Sequence, residues 1–287
     1  MKPNRLLKAA AIALPMAFGT LGSAQAGTLY TDWTYDVKAW FTSWTPGTVT
    51  ATNTDGTHDS PNVLATPNAQ TYDRLSWGVS TGFGQSSLTI IDPALGSAIQ
   101  TNGATVNGAQ IIHNNFPITG DSLATADIYS SLDLFSQLPS TGQEQHVNRS
   151  FNLRFIETPN NGNGAGVCAD GTLVSNNPGG CPDILVLLNP DALVQNFIID
   201  GYSYTLNLFG IGGNESLGGL GPLSNAACLA AGAGVGCIGW RTAESAINTL
   251  QIKFNLTAVP APEPESLALL GLGLLSCGWM VRRRKTA

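Results

Sequence analysis

Past residue 27 the chain alternates apolar and polar positions with a period of two. In TLYTDWTYDVKAWFTSWT (28–45), Trp33, Tyr35, Val37, Ala39 and Phe41 share one face, and Asp32, Thr34, Asp36 and Lys38 take the other. That period, with aromatics on the apolar side, predicts a half-buried strand. The segment 46–68 is rich in Pro, Asn, Asp and Gly and reads as a loop. Strand patterns resume at 72–79, with Leu75, Trp77 and Val79 on one face, and at 87–91; 110–113 is a shorter candidate. In 127–138, Ile128, Leu132, Leu134 and Leu138 oppose Asp127, Tyr129, Asp133 and Phe135. In 146–156, Val147, Phe151, Leu153 and Phe155 point inward. The continuous apolar run 184–188 predicts a strand covered on both faces. Asp200-Gly201, between apolar runs 196–200 and 202–209, predicts a hairpin turn that tolerates positive φ. The last alternating stretch is 249–258, and the one helical candidate is 224–231. Roughly nine strands with turn signals between them predict an all-β fold, an antiparallel β-sandwich of jelly-roll type with long loops.

The two ends of the chain break this pattern. Lys2, Arg5 and Lys8 precede an apolar segment, and Ala24-Gln25-Ala26 is a small-x-small cleavage site. Residues 1–26 therefore read as a signal peptide taken by the Sec machinery, with Gly27 as the first mature residue. At the other end, Pro260, Pro262 and Pro264 stop the last strand. An apolar run from Leu267 to Val281 follows, and then Arg282, Arg283, Arg284 and Lys285. The run is shorter than the roughly 20 residues that cross a bilayer, and its basic flank belongs in the cytoplasm. It reads as a short transmembrane helix that stops transfer for a time.

This tail resembles the PEP-CTERM sorting signal of Gram-negative bacteria, with Pro262-Glu263-Pro264 as the motif itself. The resemblance implies export, a transient inner-membrane stop, cleavage near the motif by an exosortase, and delivery to the cell surface or extracellular matrix. An uncleaved C-terminal anchor is the plainer alternative. The chain thus divides into 1–26, an exported domain at 27–258, and a sorting signal at 259–287. IHNNFPI (112–118) is similar to the T-H-x-N motif of one group of PEP-CTERM proteins; His113 and Asn115 match, and Ile112 stands in place of the Thr. RLSWG (74–78), SFNLRFIETPN (150–160) and the paired cysteines also resemble that group.

Removing both ends changes the charge. Between 27 and 258, six Lys and Arg face 17 Asp and Glu, a net charge of −11. A body so acidic lacks the basic footprint that nucleic-acid binding needs. Cys277 lies in the apolar tail, which leaves Cys168, Cys181, Cys228 and Cys237 as two local pairs. In an oxidising compartment disulfides are the default, and short loops close most easily. Zinc is the rival, but neither spacing is a C-x-x-C knuckle and no histidine lies near in sequence.

Candidate chemistry is sparse. The histidines are His58, His113 and His146, and Ser216 sits one residue off a nucleophile-elbow spacing. His113 and Asn115 stand ahead of Pro117; they suit either a small ligand or metal site or, as the reading preferred here, hydrogen bonds to the backbone at a strand-to-loop bend. Asn53, Asp55 and Asp59 in NTDGTHD offer oxygen ligands for Ca²⁺, without the full pattern of an EF-hand loop. No other cofactor is expected. GNGAG (162–166) and GAGVG (232–236) do not lead from strand to helix, so nucleotide binding is not expected. Trp40 and Trp44 lie on the polar-side register of the first strand, where they form either a sugar-stacking platform or the cover of a second sheet. The expected function is a non-catalytic surface or matrix protein associated with exopolysaccharide. The alternative is a lectin-like module or a polysaccharide hydrolase.

Overall fold

The computed structural model describes residues 27–54, 72–212 and 217–261, and Gly273 beyond them. The expected signal peptide at 1–26 and, apart from Gly273, the apolar run 267–281 lie outside the described residues, as do His58, Asp55, Asp59 and Ser216. Among the described residues, no helix is long and apolar enough to cross a membrane.

In chain order the strands are β1 Asp32–Thr45, β2 Thr50–Thr52, β3 Arg74–Trp77, β4 Val79–Ser80, β5 Ser86–Ile91, β6 Ser97–Gln100, β7 Val106–Asn115 and β8 Ile118–Thr119. Then follow β9 Thr125–Leu138, β10 Glu144–Ile156, β11 Asp183–Leu187, β12 Val194–Ile199, β13 Tyr202–Gly212, β14 Gly221–Pro222, α1 Asn225–Ala230, β15 Ile238–Thr242 and β16 Ala246–Pro260. The fold is mostly antiparallel β. One seven-stranded sheet runs β14-β15-β11-β10-β9-β1-β6, a second runs β12-β13-β16-β7-β5-β3-β2, and β4 and β8 form a small third.

The inward faces of the two large sheets share one apolar cluster. Trp33, Tyr35, Leu134 and Phe155 enter it from the first sheet, and Leu75, Ile90, Tyr204, Phe254 and Leu256 from the second. Period-two alternation supplies this core, because each strand turns every second side chain inward. Strand β11 is buried at every position. Leu185 and Leu187 face the main cluster, while Ile184 and Val186 pack beneath Ala227 of α1 and Ala231, the residue just past its end. The Cys228–Cys237 bond clips that helix over the sheet, and Ser224 caps its N-terminus by accepting from Ala227 N at 3.1 Å.

Several expectations change. Among the described residues sixteen strands replace the roughly nine expected, since two- to four-residue pairings such as β2, β4 and β6 are too short to show a period. Strand β2 lies inside the segment expected to be loop, and β7 is far longer than 110–113. Val79 does not continue the inner face of 72–79; it is 64% exposed, because Gly78 at φ 75° interrupts the strand and resets the alternation. Leu138 ends its strand exposed rather than inward. Trp40 is not a platform: only 3% exposed, it packs against Tyr129 with ring centroids 4.9 Å apart. Trp44 is half-buried against Tyr72.

Candidate functional site

Four distant segments converge where β7, β10, β11 and the β15–β16 connection meet. Glu157 follows the last residue of β10, and Asp183 opens β11, paired in register with Thr242 at the end of β15. Glu244 lies in the connection to β16, and Ala246 of β16 pairs with Asn115 at the end of β7. Antiparallel pairing thus brings these residues to one end of the body, although up to 87 positions separate the carboxylates in sequence, from 157 to 244.

One carboxylate oxygen from each of Glu157, Asp183 and Glu244 lies within 4.8 Å of the others. Asp183 is fully buried, Glu244 is 4% exposed and Glu157 is half-buried. Their donors are few. Thr158 N donates to Asp183 Oδ1 at 2.8 Å, Trp77 Nε1 to Glu157 Oε2 at 3.4 Å, and Asn160 Nδ2 to Glu244 Oε1 at 3.2 Å. Among the described residues no ion pair reaches any of the three. Burial disfavours the charged form, and a neighbouring carboxylate adds to it. Burial pushes the Glu157 carboxyl up to about 7, with Glu244 contributing. Asp183 is pushed well above the carboxylate range by burial and then by Glu157; Glu244 is also raised by burial, and its contacts with Asn160, Ser245 and Asn115 hold it down in part.

His113 and Asn115 stand beside this group and are fully buried. His113 Nδ1 lies 2.8 Å from Thr242 Oγ1, a contact from one large sheet to the other. Its ring stacks on Trp77 at 5.6 Å and meets the Phe155 ring edge-on at 5.2 Å. Burial lowers its pKa to about 3, so the imidazole is neutral. Asn115 Nδ2 donates to Thr242 O at 3.3 Å. The expected backbone bond thus exists for Asn115 but not for the His113 side chain, which bonds a threonine hydroxyl. The expected bend is also displaced, because both residues are still within β7.

The other sequence candidates scatter. The Cys168–Cys181 bond closes a loop whose Gly179 and Gly180 lie against Glu244, so close that a Cβ on Gly179 would stand 2.3 Å from Glu244 O. His146 is at the surface, its Nδ1 2.6 Å from Asp133 Oδ1. Of the expected calcium ligands Asn53, Asp55 and Asp59, only Asn53 is among the described residues. Glu157, Asp183, Glu244 and Asn160 were not singled out from the sequence, since no spacing links them; pairing of β11 with β15 and of β7 with β16 was needed first.

At the opposite end of the body, Thr28 N donates to Asp200 Oδ2 at 2.7 Å and Ala261 N to Gly201 O at 2.8 Å. The N-terminal segment and the end of β16 therefore meet the same turn. Comparison with known proteins adds one family and no relative: a search of the curated proteins finds no match. Residues 260–285 match the PEP-CTERM protein-sorting motif, which indicates sorting through an exosortase to the cell surface.

Proposed function

We propose that the chain is a non-catalytic exported protein, its two sheets the halves of a jelly-roll-like sandwich, released from the membrane by an exosortase and retained at the cell surface or in the extracellular matrix. The observation that carries this reading is the position of the sorting motif: it begins at Pro260, the residue on which β16 ends. Among the described residues every strand ends at or before Pro260, so cleavage beyond it leaves those strands intact. The resemblance of the tail adds exopolysaccharide as the expected companion of the mature protein. Burial supports the absence of catalysis, since Asp183 and Glu244 lie beneath the surface where a polymer cannot reach them. Trp40, buried against Tyr129, gives no support to a sugar-stacking face.

Mass spectrometry of the protein from its native host tests this. The expected mature chain starts at Gly27 and ends close to Pro262–Pro264, and deletion of the exosortase should leave residues 267–285 attached. Recovery of that tail on surface protein from the unmodified host would instead establish a permanent anchor.

A further inference from the structure

Two buried carboxylates and a half-buried third, gathered without a basic partner among the described residues, call for a positive charge among them. Ca²⁺ takes oxygen ligands at about 2.3–2.6 Å, so oxygens on opposite sides of the ion stand up to about 5 Å apart. One carboxylate oxygen from each of the three residues falls within 4.8 Å of the others. Mg²⁺ binds at about 2.0–2.1 Å and keeps most of its waters, which suits a buried all-protein cage poorly.

A second observation points to the same place. Asp183 Oδ2, Glu244 Oε2, Asn115 Oδ1 and Asn160 Oδ1 are buried oxygens with no hydrogen-bond partner. Asn115 is fully buried, its amide facing Glu244, and Asn160 touches Glu244 directly. Unpaired oxygens at such depth are destabilising, and their concentration around one carboxylate needs a cause. A shared ligand supplies it, because a cation accepts lone pairs that no donor in the protein reaches. Carboxylate and amide oxygens select a hard cation over zinc.

We propose that Glu157, Asp183 and Glu244, with the amide oxygens of Asn115 and Asn160, bind one divalent cation of calcium size. Such an ion joins β7 and the β15–β16 connection to β10 and β11, and so ties the two large sheets together at one end. Half-buried Glu157 gives it a path to solvent. The proposal is independent of the sorting route.

Trp77 provides the probe, since its Nε1 lies 3.4 Å from Glu157 Oε2 and its ring can sensitise a bound lanthanide. The mature exported protein, stripped with a chelator, is titrated with Tb³⁺ under tryptophan excitation. The expected result is emission that saturates at one equivalent and is displaced by Ca²⁺. Asp183→Asn and Glu244→Gln should weaken binding at least tenfold, and Asp200→Asn at the opposite end should not change it. Should either buried variant fail to fold, half-buried Glu157→Gln carries the same comparison, and calorimetric titration of the unaltered protein with Ca²⁺ gives the stoichiometry directly. No emission and no calorimetric binding, or affinity unchanged in the carboxylate variants, overturns the site and leaves the cluster to hold protons.

Discussion

The two ends of β16 lie in opposite kinds of chemistry. Across its 15 residues the strand spans about 45–50 Å. At the Pro260 end, the N-terminal segment and the end of β16 meet the exposed Asp200–Gly201 turn, and the Asp200 carboxylate is supplied with donors by Thr28. At the Ala246 end, Asp183 and Glu244 are buried and Glu157 half-buried beside Trp77, His113 and the Cys168–Cys181 loop, with few donors. An exposed carboxylate is satisfied by a single backbone amide and water. A close group of three, two of them buried, needs protons or a cation. The end that leads into the sorting tail is therefore built to be cut near, and the far end is built to be locked.

Truncating the far end should have the largest effect. Trp77 is 1% exposed, stacks on His113 and donates to Glu157. Trp77→Ala should cost about 3–5 kcal/mol in denaturant unfolding. Replacing Cys168 and Cys181 together by Ala should cost about 2–4 kcal/mol, because the open chain regains the entropy of that loop. If the two ends differ as described, the double variant should loosen the packing around Glu244 and leave the Asp200–Gly201 turn unchanged by NMR chemical shift.

The terminal end should respond less. Tyr204 Oη accepts from Tyr30 N at 2.8 Å and donates to Tyr30 O at 3.3 Å. Tyr204→Phe keeps the ring in the core but strands a buried backbone amide, a loss of about 1–2 kcal/mol by the same denaturant measurement.

The smallest effect is one of pH. The Thr28 hydroxyl, and then its backbone N–H, hold the Asp200 carboxyl below its usual value. The unfolded chain therefore takes up this proton first, and the stability that the carboxylate contributes above about pH 4 is lost as pH falls through the folded value. Asp200→Asn keeps a residue tolerant of the positive φ of 45° and should flatten that acid slope in melting curves. An unchanged slope would mean that the Thr28 contact has no weight in solution.

Strands with a long alternating pattern were legible from sequence, and the hairpin at Asp200-Gly201 and the doubly covered run of β11 were read from local signals alone. Where Gly78 resets the pleat, alternation misled at Val79. For Trp40 the register alone left platform and cover both open, because outward register implies exposure only when nothing packs on that face. His113 and Asn115 stood out as a motif, but their partners could not be named, because Thr242 and Glu244 reach them only through pairing of β7 with β16 and of β11 with β15. The carboxylate cluster was illegible for the same reason: it is a property of the sheet ends, and Glu157, Asp183 and Glu244 each look ordinary in their own segments.

Hydrogen exchange on the chelator-treated mature protein, with and without Ca²⁺, tests the account most directly. Amides at Thr158, Cys181 and Ala243 bond within or beside the cluster, to Asp183, Asn160 and Asn248 respectively, and those at Thr28 and Ala261 bond at the terminal turn. The account predicts that Ca²⁺ slows exchange at the first three by tenfold or more and leaves the last two unchanged. Equal slowing at both ends, or none at either, would contradict a cation lock confined to the far end.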